Sequence, residues 1–354
     1  MAALPIYAPG TPKSYMDQMD NQLSLIGAGS QPGVNFNAPG ARWTNPTGGT
    51  SPNVGDPAAI SWSIVPDGTM VSNGQDVNGV PQLSQSNLIA FMDGIYGGGT
   101  GPVSNRPWFN IVQRAYDNWA AQSGLSFIYE PVDDGANYSN VARGQRGVRG
   151  DMRVGGTRID GDLNILAFNF FPSGGGNQGF DGDMVIDTAD SFYRTNANGP
   201  QGENRGFINV AMHEIGHGLG LDHVIPVNNT KLMEPIASLA FLGAQHDDIL
   251  GIHTLYGDND EPSDSAQAAI DLGLLTNGST QLNDRSIDRN ADVDLFRFTV
   301  ESPGTLSVIL TPVGQQFDVG NQGGTAAPVN TTLNKDLSFQ IEEAGGRILT
   351  TVNA

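Results

Sequence analysis

The stretch Val210–His223, VAMHEIGHGLGLDH, constrains this chain more than any other. The protein has five histidines, and three of them fall in this one apolar, glycine-punctuated window. His213 and His217 stand one helical turn apart, so a helix carries both imidazoles on one face with Glu214 on an adjacent flank. HExxH in this form supplies two metal ligands and a general base from a single turn. Gly220 sits where that helix must stop, because glycine accepts the positive φ of a C-terminal cap. A sharp turn there brings His223 back towards the first two histidines. Three neutral imidazoles leave a tetrahedral zinc one position for water, which is the ligand count of a catalytic site rather than a structural one. An amphipathic core helix with incidental histidines explains a bare HExxH, but it explains the full HExxHxxGxxH string poorly.

Composition narrows the partners. Only 15% of residues are charged, yet the formal net charge is −20, with 17 basic residues. That balance argues against nucleic acid or an anionic membrane as a partner. It suits an extracellular protein that binds calcium, and equally an acidic surface that keeps the chain in solution. The chain has no cysteine, which excludes disulfides, a thiolate zinc site and any latency device that blocks zinc with a cysteine. No apolar run approaches the ~20 residues of a membrane span. The first residues, MAALPIYAPGTPKSYMDQMD, lack a basic flank followed by an apolar core, so no secretory signal is visible. Export is expected to use a signal upstream of this start or a route the sequence does not display.

With 354 residues the chain has room for two domains. Residues 1–57 are rich in Gly, Pro, Asn, Ser and Gln, and are expected to be extended or poorly ordered, as a propeptide remnant would be. Arg42-Trp43 marks the approach to the folded part. The segment 60–65, ISWSIV, alternates as a strand. Helices are predicted over 86–95 and 107–121; in the second, Ile111, Val112, Ala115 and Trp119 form a buried stripe. Strands follow at 125–130, 163–170 and 183–187, the zinc-motif helix at 205–219 and a last helix at about 247–256, while 133–158 resists assignment. An acidic, proline-containing linker occupies 258–266. Beyond it, 267–354 is strand-dominated; segments 295–300, 306–310 and 337–341 have the spacing of an all-β sandwich domain.

The motif as a whole resembles the metzincins, and within that clan the matrixins. HEIGHGLGLDH carries the clan string, and Lys231-Leu232-Met233-Glu234-Pro235 resembles the methionine turn that lies beneath the zinc in this clan. Proline at 235 resembles matrixins; no tyrosine stands there to reach the metal, as it does in serralysins and astacins. HDDILGIHTLYG, residues 246–257, resembles the last matrixin helix, with paired Asp247 and Asp248 expected to tie it to the methionine turn. The resemblance covers about 58–257. It implies an α/β (α+β) catalytic domain, a twisted mixed five-stranded sheet with three helices, with the 163–170 strand as an edge above the cleft to which an extended substrate adds. Leu166 and Ala167 on that strand, and Pro235 and Ile236 opposite, would then bind substrate. The tyrosine that matrixins often place two residues after the proline is replaced by Ala237, so their side-chain preference does not carry over directly.

The same resemblance implies further metal sites. Asp160, Asp187 and Asp190, with the carbonyls of Gly161, Leu163 and Ile165, fall where the family holds a structural calcium, and Asp183 is a candidate for a second. A second, structural zinc is not expected, because its matching positions are Arg153, Gly155, Phe168 and Val185. His246 and His253 are expected to be surface or packing residues. Residues 291–298, 303–306 and 336–339 resemble a bacterial pre-peptidase C-terminal domain, apparently cut short before its closing strands.

Taken together, the resemblance implies a secreted, bacterial, monomeric zinc endopeptidase acting on proteins or peptides, with one catalytic zinc on His213, His217 and His223 and structural calcium. Glu214 would be the general base, and Gly220, Met233 and Pro235 would support the site. The alternatives are a non-catalytic exported adhesin or binding module on the same fold, and a zinc hydrolase acting on something other than protein.

Overall fold

The computed structural model describes residues 3–24, 42–75, 81–139, 142–173, 179–198, 203–260, 269–276, 278–283, 285–287, 292–333 and 337–353. The elements run β1 (Ala3–Tyr7), α1 (Lys13–Ser24), β2 (Ala58–Ile64), β3 (Met70–Gln75), β4 (Pro81–Gln85), α2 (Leu88–Tyr96), α3 (Phe109–Ala120), β5 (Leu125–Tyr129), β6 (Met152–Thr157), β7 (Ile165–Phe170) and β8 (Met184–Asp187). There follow α4 (Phe192–Thr195), α5 (Arg205–Leu219), β9 (Val224–Ile225) and α6 (His246–Tyr256).

Six of the strands form one sheet in the order β1-β7-β8-β6-β2-β5. The pairs β6–β8, β2–β6 and β2–β5 are parallel, and β7 runs antiparallel to β8. The mixed sheet agrees with expectation, but it has a sixth strand. The extra strand is β1, from the segment expected to be extended or poorly ordered, and it pairs antiparallel with β7. The expected edge strand is therefore covered on its outer side. Strand β6 falls in the stretch that resisted assignment. Its sequence MRVGGT has no clean alternation, and all six residues are buried between β2 and β8, so the sheet around it makes it a strand. The hairpin β3–β4 went unrecognised for the same lack of local pattern.

Helices α3 and α5 cover one face. The predicted stripe on α3 is buried, and Phe109 and Tyr116 extend it. Trp62 of β2 stacks on Tyr116 and Phe109 at 4.3 and 5.8 Å between ring centroids. The indole Nε1–H of Trp119 donates to the carbonyl of Met212 at 2.9 Å, fastening α3 to the zinc-motif helix. The opposite face carries a smaller apolar cluster that includes Val65, Val71, Tyr138, Phe168, Phe170 and Val185. Arg42 and Trp43 are buried within the fold: Trp43 Nε1–H donates to Gly218 O on α5 at 2.8 Å.

The remaining strands are β10 (Ile270–Leu275), β11 (Phe296–Val300), β12 (Gln316–Asn321), β13 (Ala327–Asn330), β14 (Ser338–Glu342) and β15 (Ile348–Asn353). They form the parallel pair β10–β11, the antiparallel set β13-β12-β9 and the hairpin β14–β15. This part is strand-rich as expected, but among the described residues it does not form the expected sandwich. Residues 306–310 contain no strand, Ile309 is 84% exposed, and Val319 is the one core hydrophobic that this region contributes among the described residues. Without facing apolar layers there is nothing for two sheets to bury. Linker residues 261–268 and Ala291 and Asp336 of the expected motif lie outside the described residues.

Candidate active site

Helix α5 is buried along all but its first residue and ends at Gly220, whose φ of 109° and ψ of 8° define a left-handed cap. Leu221 N–H donates back to Gly216 O at 2.8 Å, closing the last turn and redirecting the chain. His223 thereby meets His213 and His217: ring centroids lie 4.6 to 5.1 Å apart, and one ligand nitrogen of each falls within 4.8 Å of the others.

The outer nitrogen of each ring decides what the inner ones can do. His213 Nδ1 lies 2.7 Å from Leu232 O, His217 Nδ1 lies 2.7 Å from Leu221 O, and His223 Nδ1 lies 2.6 Å from Gln322 Oε1. All three partners are acceptors, so each Nδ1 carries the proton and each Nε2 presents a bare lone pair. His213 Nε2 and His223 Nε2 stand 3.1 Å apart, and His217 Nε2 has no partner in the described structure. Burial lowers the pKa of all three, that of His213 to about 4, and mutual repulsion adds to this at His217 and His223. Three neutral, buried, convergent acceptors with no donor among them are the donor set of a divalent cation, and the nitrogen ligation fits zinc.

Glu214 lies beside this cluster and is fully buried. Its Oε1 accepts the amide of Ile6 at 3.2 Å, and its Oε2 has no partner in the described structure. Burial holds its carboxyl well above the usual carboxylate range. A neighbouring cation acts in the opposite sense.

Met233 packs directly beneath the helix. A Cβ at Gly216 would come within 2.6 Å of Met233 Sδ, so the glycine is required for that approach. The turn around Met233 is fixed from two sides. Asp248 accepts Leu232 N–H, Met233 N–H and Gln245 N–H at 2.8, 3.0 and 2.7 Å. Glu234 accepts the amides of Asn228, Asn229, Thr230 and Lys231. The carbonyl that orients His213 belongs to Leu232, so Asp248 acts on the ligand set through one residue. Asp247 departs from expectation: it is buried, neither of its oxygens has a partner in the described structure, and it does not tie α6 to the turn.

The expected substrate-binding residues are engaged by the chain itself. Ala167 is paired with Ile6, and Leu166 O accepts the Tyr193 hydroxyl at 2.6 Å. On the other side of β1, Tyr7 N–H donates to Pro235 O and Ala237 N–H donates to Tyr7 O, both at 2.9 Å, with Ile236 between them.

The expected calcium loop uses several of its carboxylate oxygens on its own amides, while Asp160 Oδ1 is buried with no partner in the described structure. Asp187 Oδ2 accepts the amides of Asp160 and Gly161, Asp190 Oδ2 accepts that of Leu163, and Asp160 Oδ2 accepts that of Ile165 and the hydroxyl of Tyr15 from α1. Among the described residues these three aspartates do not form one of the groups whose ligand atoms come within 4.8 Å of one another. Asp183 is fully buried and accepts the amide of Arg153, in an environment that raises its pKa. Arg153 itself makes two hydrogen bonds to buried Asp133, at 2.9 and 2.6 Å, and Phe168 and Val185 lie in the apolar cluster. Those four positions therefore present a salt bridge, a glycine and hydrocarbon. Asp258, Asp260 and Asp294 do gather, and Arg285 pairs with Asp260 at 2.8 Å in that group. His246 packs on Phe317; His253 Nε2–H donates to Gln122 O, and His253 Nδ1 lies 3.2 Å from Ser286 Oγ.

Sequence reasoning missed Ile6, Tyr7, Tyr15 and Gln322. The short stretch ALPIY has strand-forming residues, but nothing local says where it docks, and Gln322 carries no signal at all.

Residues 100–257 match the model of the matrixin family of M10 peptidases. The match contains the histidine cluster, Glu214 and the methionine turn, and begins 42 residues after the start of the resemblance read at 58. A 152-residue stretch is 33% identical to karilysin of Tannerella forsythia, covering 42% of this chain and 28% of karilysin. Over 114 residues the chain is 32% identical to the probable matrix metalloproteinase 095L of invertebrate iridescent virus 3, covering 32% of this chain and 28% of that protein. Over 154 residues it is 31% identical to human neutrophil collagenase, covering 43% and 29%. The matched part thus spans less than a third of the length of each of these relatives. Among the described residues, no helix is long and apolar enough to cross a membrane.

Proposed function

We propose that this protein is a zinc-dependent endopeptidase that hydrolyses peptide bonds of proteins. The observation that carries the reading is the convergence of three Nε2 lone pairs, each locked by an acceptor on its Nδ1, beside a buried glutamate with one oxygen unused. His213, His217 and His223 would hold the ion. When bound, zinc polarises a carbonyl and brings the acidity of a water towards neutrality. Glu214 Oε2 takes the proton of the attacking water, and the carboxyl then delivers it to the departing amine nitrogen. Burial of Glu214 favours its taking up the proton, and a neighbouring cation favours its release. Met233 and Asp248 contribute by holding the Leu232 carbonyl on His213. The similarity to karilysin and to neutrophil collagenase supports a protein substrate.

The test is a pair of variants. Glu214→Ala should retain one zinc per chain while losing casein cleavage by at least 100-fold, whereas His213→Ala should lose the zinc as well. Casein cleavage by Glu214→Ala at the rate of the parent protein would sink the general-base role. A parent protein that binds zinc but cleaves no protein would favour the binding-module reading.

A further inference from the structure

The third histidine of the site is oriented from outside the part of the chain that matches the matrixin model. His213 and His217 rest their Nδ1 atoms on Leu232 O and Leu221 O, 19 and 4 residues away and both within residues 100–257. His223 Nδ1 instead meets Oε1 of Gln322, 99 residues further on. A backbone carbonyl is held by the turn it belongs to. A side-chain carboxamide is held only while its own element is docked, so whatever seats β12 also orients His223.

Strand β9 begins at the residue after His223 and takes β12 as its antiparallel neighbour, with Gly320 opposite Ile225 and Asn321 opposite Val224. The other edge of β12 is closed by β13, from Gln316 opposite Asn330 to Val319 opposite Ala327. Their connection turns at Gly323, whose φ of 79° favours glycine, and Gly324 N–H returns to Asn321 O at 2.9 Å. Gln322 therefore stands in the hairpin turn, at the end nearest the histidines. Val319 is 1% exposed and shares the main core cluster with Leu221 and Val224, while Phe317 and Val329 pack against that cluster. At the far end, the His246 ring of α6 stands edge-on to Phe317 at 5.8 Å, and its Nε2 lies 3.0 Å from Thr331 Oγ1. Main-chain pairing and apolar burial thus seat the hairpin, and they deliver the carboxamide to His223.

We propose that the β12–β13 hairpin completes the metal centre: Gln322 is a positioning residue that keeps the His223 proton on Nδ1 and its Nε2 turned towards His213, so that hairpin docking and zinc binding strengthen each other. This rests on the three histidines holding zinc, as in the proposed function. Without the Gln322 acceptor the imidazole is free to carry its proton on Nε2, where it blocks ligation. A His223 whose Nε2 is engaged by a cation must hold its proton on Nδ1, which strengthens the bond to Gln322 and so holds the hairpin in place. The coupling is reciprocal: the factor by which docking tightens zinc is the factor by which zinc favours docking.

Chelator competition and hydrogen exchange on the full chain read the two sides of this coupling without asking for activity. Zinc should bind Gln322→Leu about 10–100-fold more weakly than the parent, and Gln322→Glu, which keeps an acceptor, should retain the parent affinity. Zinc should slow exchange of the 316–321 amides by about 10-fold or more in the parent and in Gln322→Glu, and leave it unchanged in Gln322→Leu. Val319→Asp, or the milder Phe317→Ser, unseats the hairpin and should weaken zinc by the same factor as Gln322→Leu, with no further loss when the two changes are combined. Parent-like zinc affinity in Gln322→Leu, exchange at 316–321 that ignores zinc in the parent, or additive losses in the combined variant overturns the proposal. Exchange in metal-free Gln322→Leu as fast as in Val319→Asp would make Gln322 a docking residue and overturn its positioning role. A parent protein that binds no zinc overturns the three-histidine site itself.

Discussion

Gln322 Oε1 lies 2.6 Å from His223 Nδ1, across a separation of 99 residues. The contact is set by a strand pairing: β12 runs antiparallel to β9, with Gly320 opposite Ile225 and Asn321 opposite Val224, immediately beside the third histidine. Backbone carbonyls orient the other two ligands, so His223 alone depends on a side chain from the strand-rich C-terminal part. Outer partners of this kind are worth about 10–100-fold in metal affinity. Gln322→Leu should therefore weaken zinc binding by about that factor in a chelator competition, and Gln322→Glu, which keeps an acceptor, should not. Equal affinity in the leucine variant would sink the role assigned to Gln322.

Three buried imidazoles whose pKa values are lowered, with no donor between their Nε2 atoms, repel one another unless a cation sits among them, so metal and fold are linked. Zinc at about 100 times its dissociation constant should stabilise the protein by roughly 2.7 kcal/mol, and chelation should remove that increment. His217→Ala should melt at the same temperature with and without zinc. A melting temperature of the parent protein that ignores both zinc and chelator would contradict the three-histidine site.

Asp248 satisfies three amides, those of Leu232, Met233 and Gln245, from a buried position. Asp248→Ala strands those donors, at roughly 1–3 kcal/mol for each that water cannot reach. Urea unfolding should show a loss of at least about 3 kcal/mol, together with weaker zinc binding because the Leu232 carbonyl loses its anchor. A loss within ~0.5 kcal/mol would mean the turn holds itself.

Its neighbour Asp247 works in the opposite direction. Burial, with Asp248 and Glu234 nearby and Lys231 only partly offsetting them, raises its carboxyl to about 8. A raised carboxyl means that the folded state binds the proton more tightly than the unfolded one between about pH 4 and pH 8, so stability falls as pH rises through that window. Asp248, raised to about 6, adds a slope of the same sign over its lower half. Asp247→Asn removes the larger contribution. Its urea midpoint should exceed that of the parent at about pH 8 and differ little near pH 4. Parallel pH profiles for the two proteins would refute the assignment.

Arg153 and Asp133 form a two-bond pair inside the fold, with side-chain exposures of 1% and 0%. Removing one member leaves a buried charge without its partner. Arg153→Ala should cost about 3–5 kcal/mol, whereas replacing both residues by apolar ones of similar volume should cost far less. Denaturant curves for the single and double variants settle it, and an equal loss in both would show that packing rather than charge dominates.

Local chemistry was legible wherever the sequence carries its own period or its own stop. The spacing of His213 and His217, the Gly220 cap, the Met233 turn, the α3 stripe and the alternation of ISWSI each depend on residues a few positions apart, and each appears in the structure as read. Where the reading failed, the deciding partner was distant. Strand β6 is a strand because β2 and β8 flank it. The segment 306–310 looks like a strand by composition yet has no neighbour to pair with in the described structure.

The motif in VAMHEIGHGLGLDH by itself determined which atoms meet in the site: helical spacing aligns two imidazoles, a left-handed glycine returns the third, and the glutamate follows. Tertiary structure alone decided what surrounds them. It sets Gln322 on His223 and Ile6 on Glu214, partners 99 and 208 residues away. Contacts of that range depend on strand pairing, and the sheet edges that β1 and β12 join are marked by no local period. The sequence therefore names the chemistry of the centre, while the fold decides that Ile6 of β1 gives its amide to Glu214.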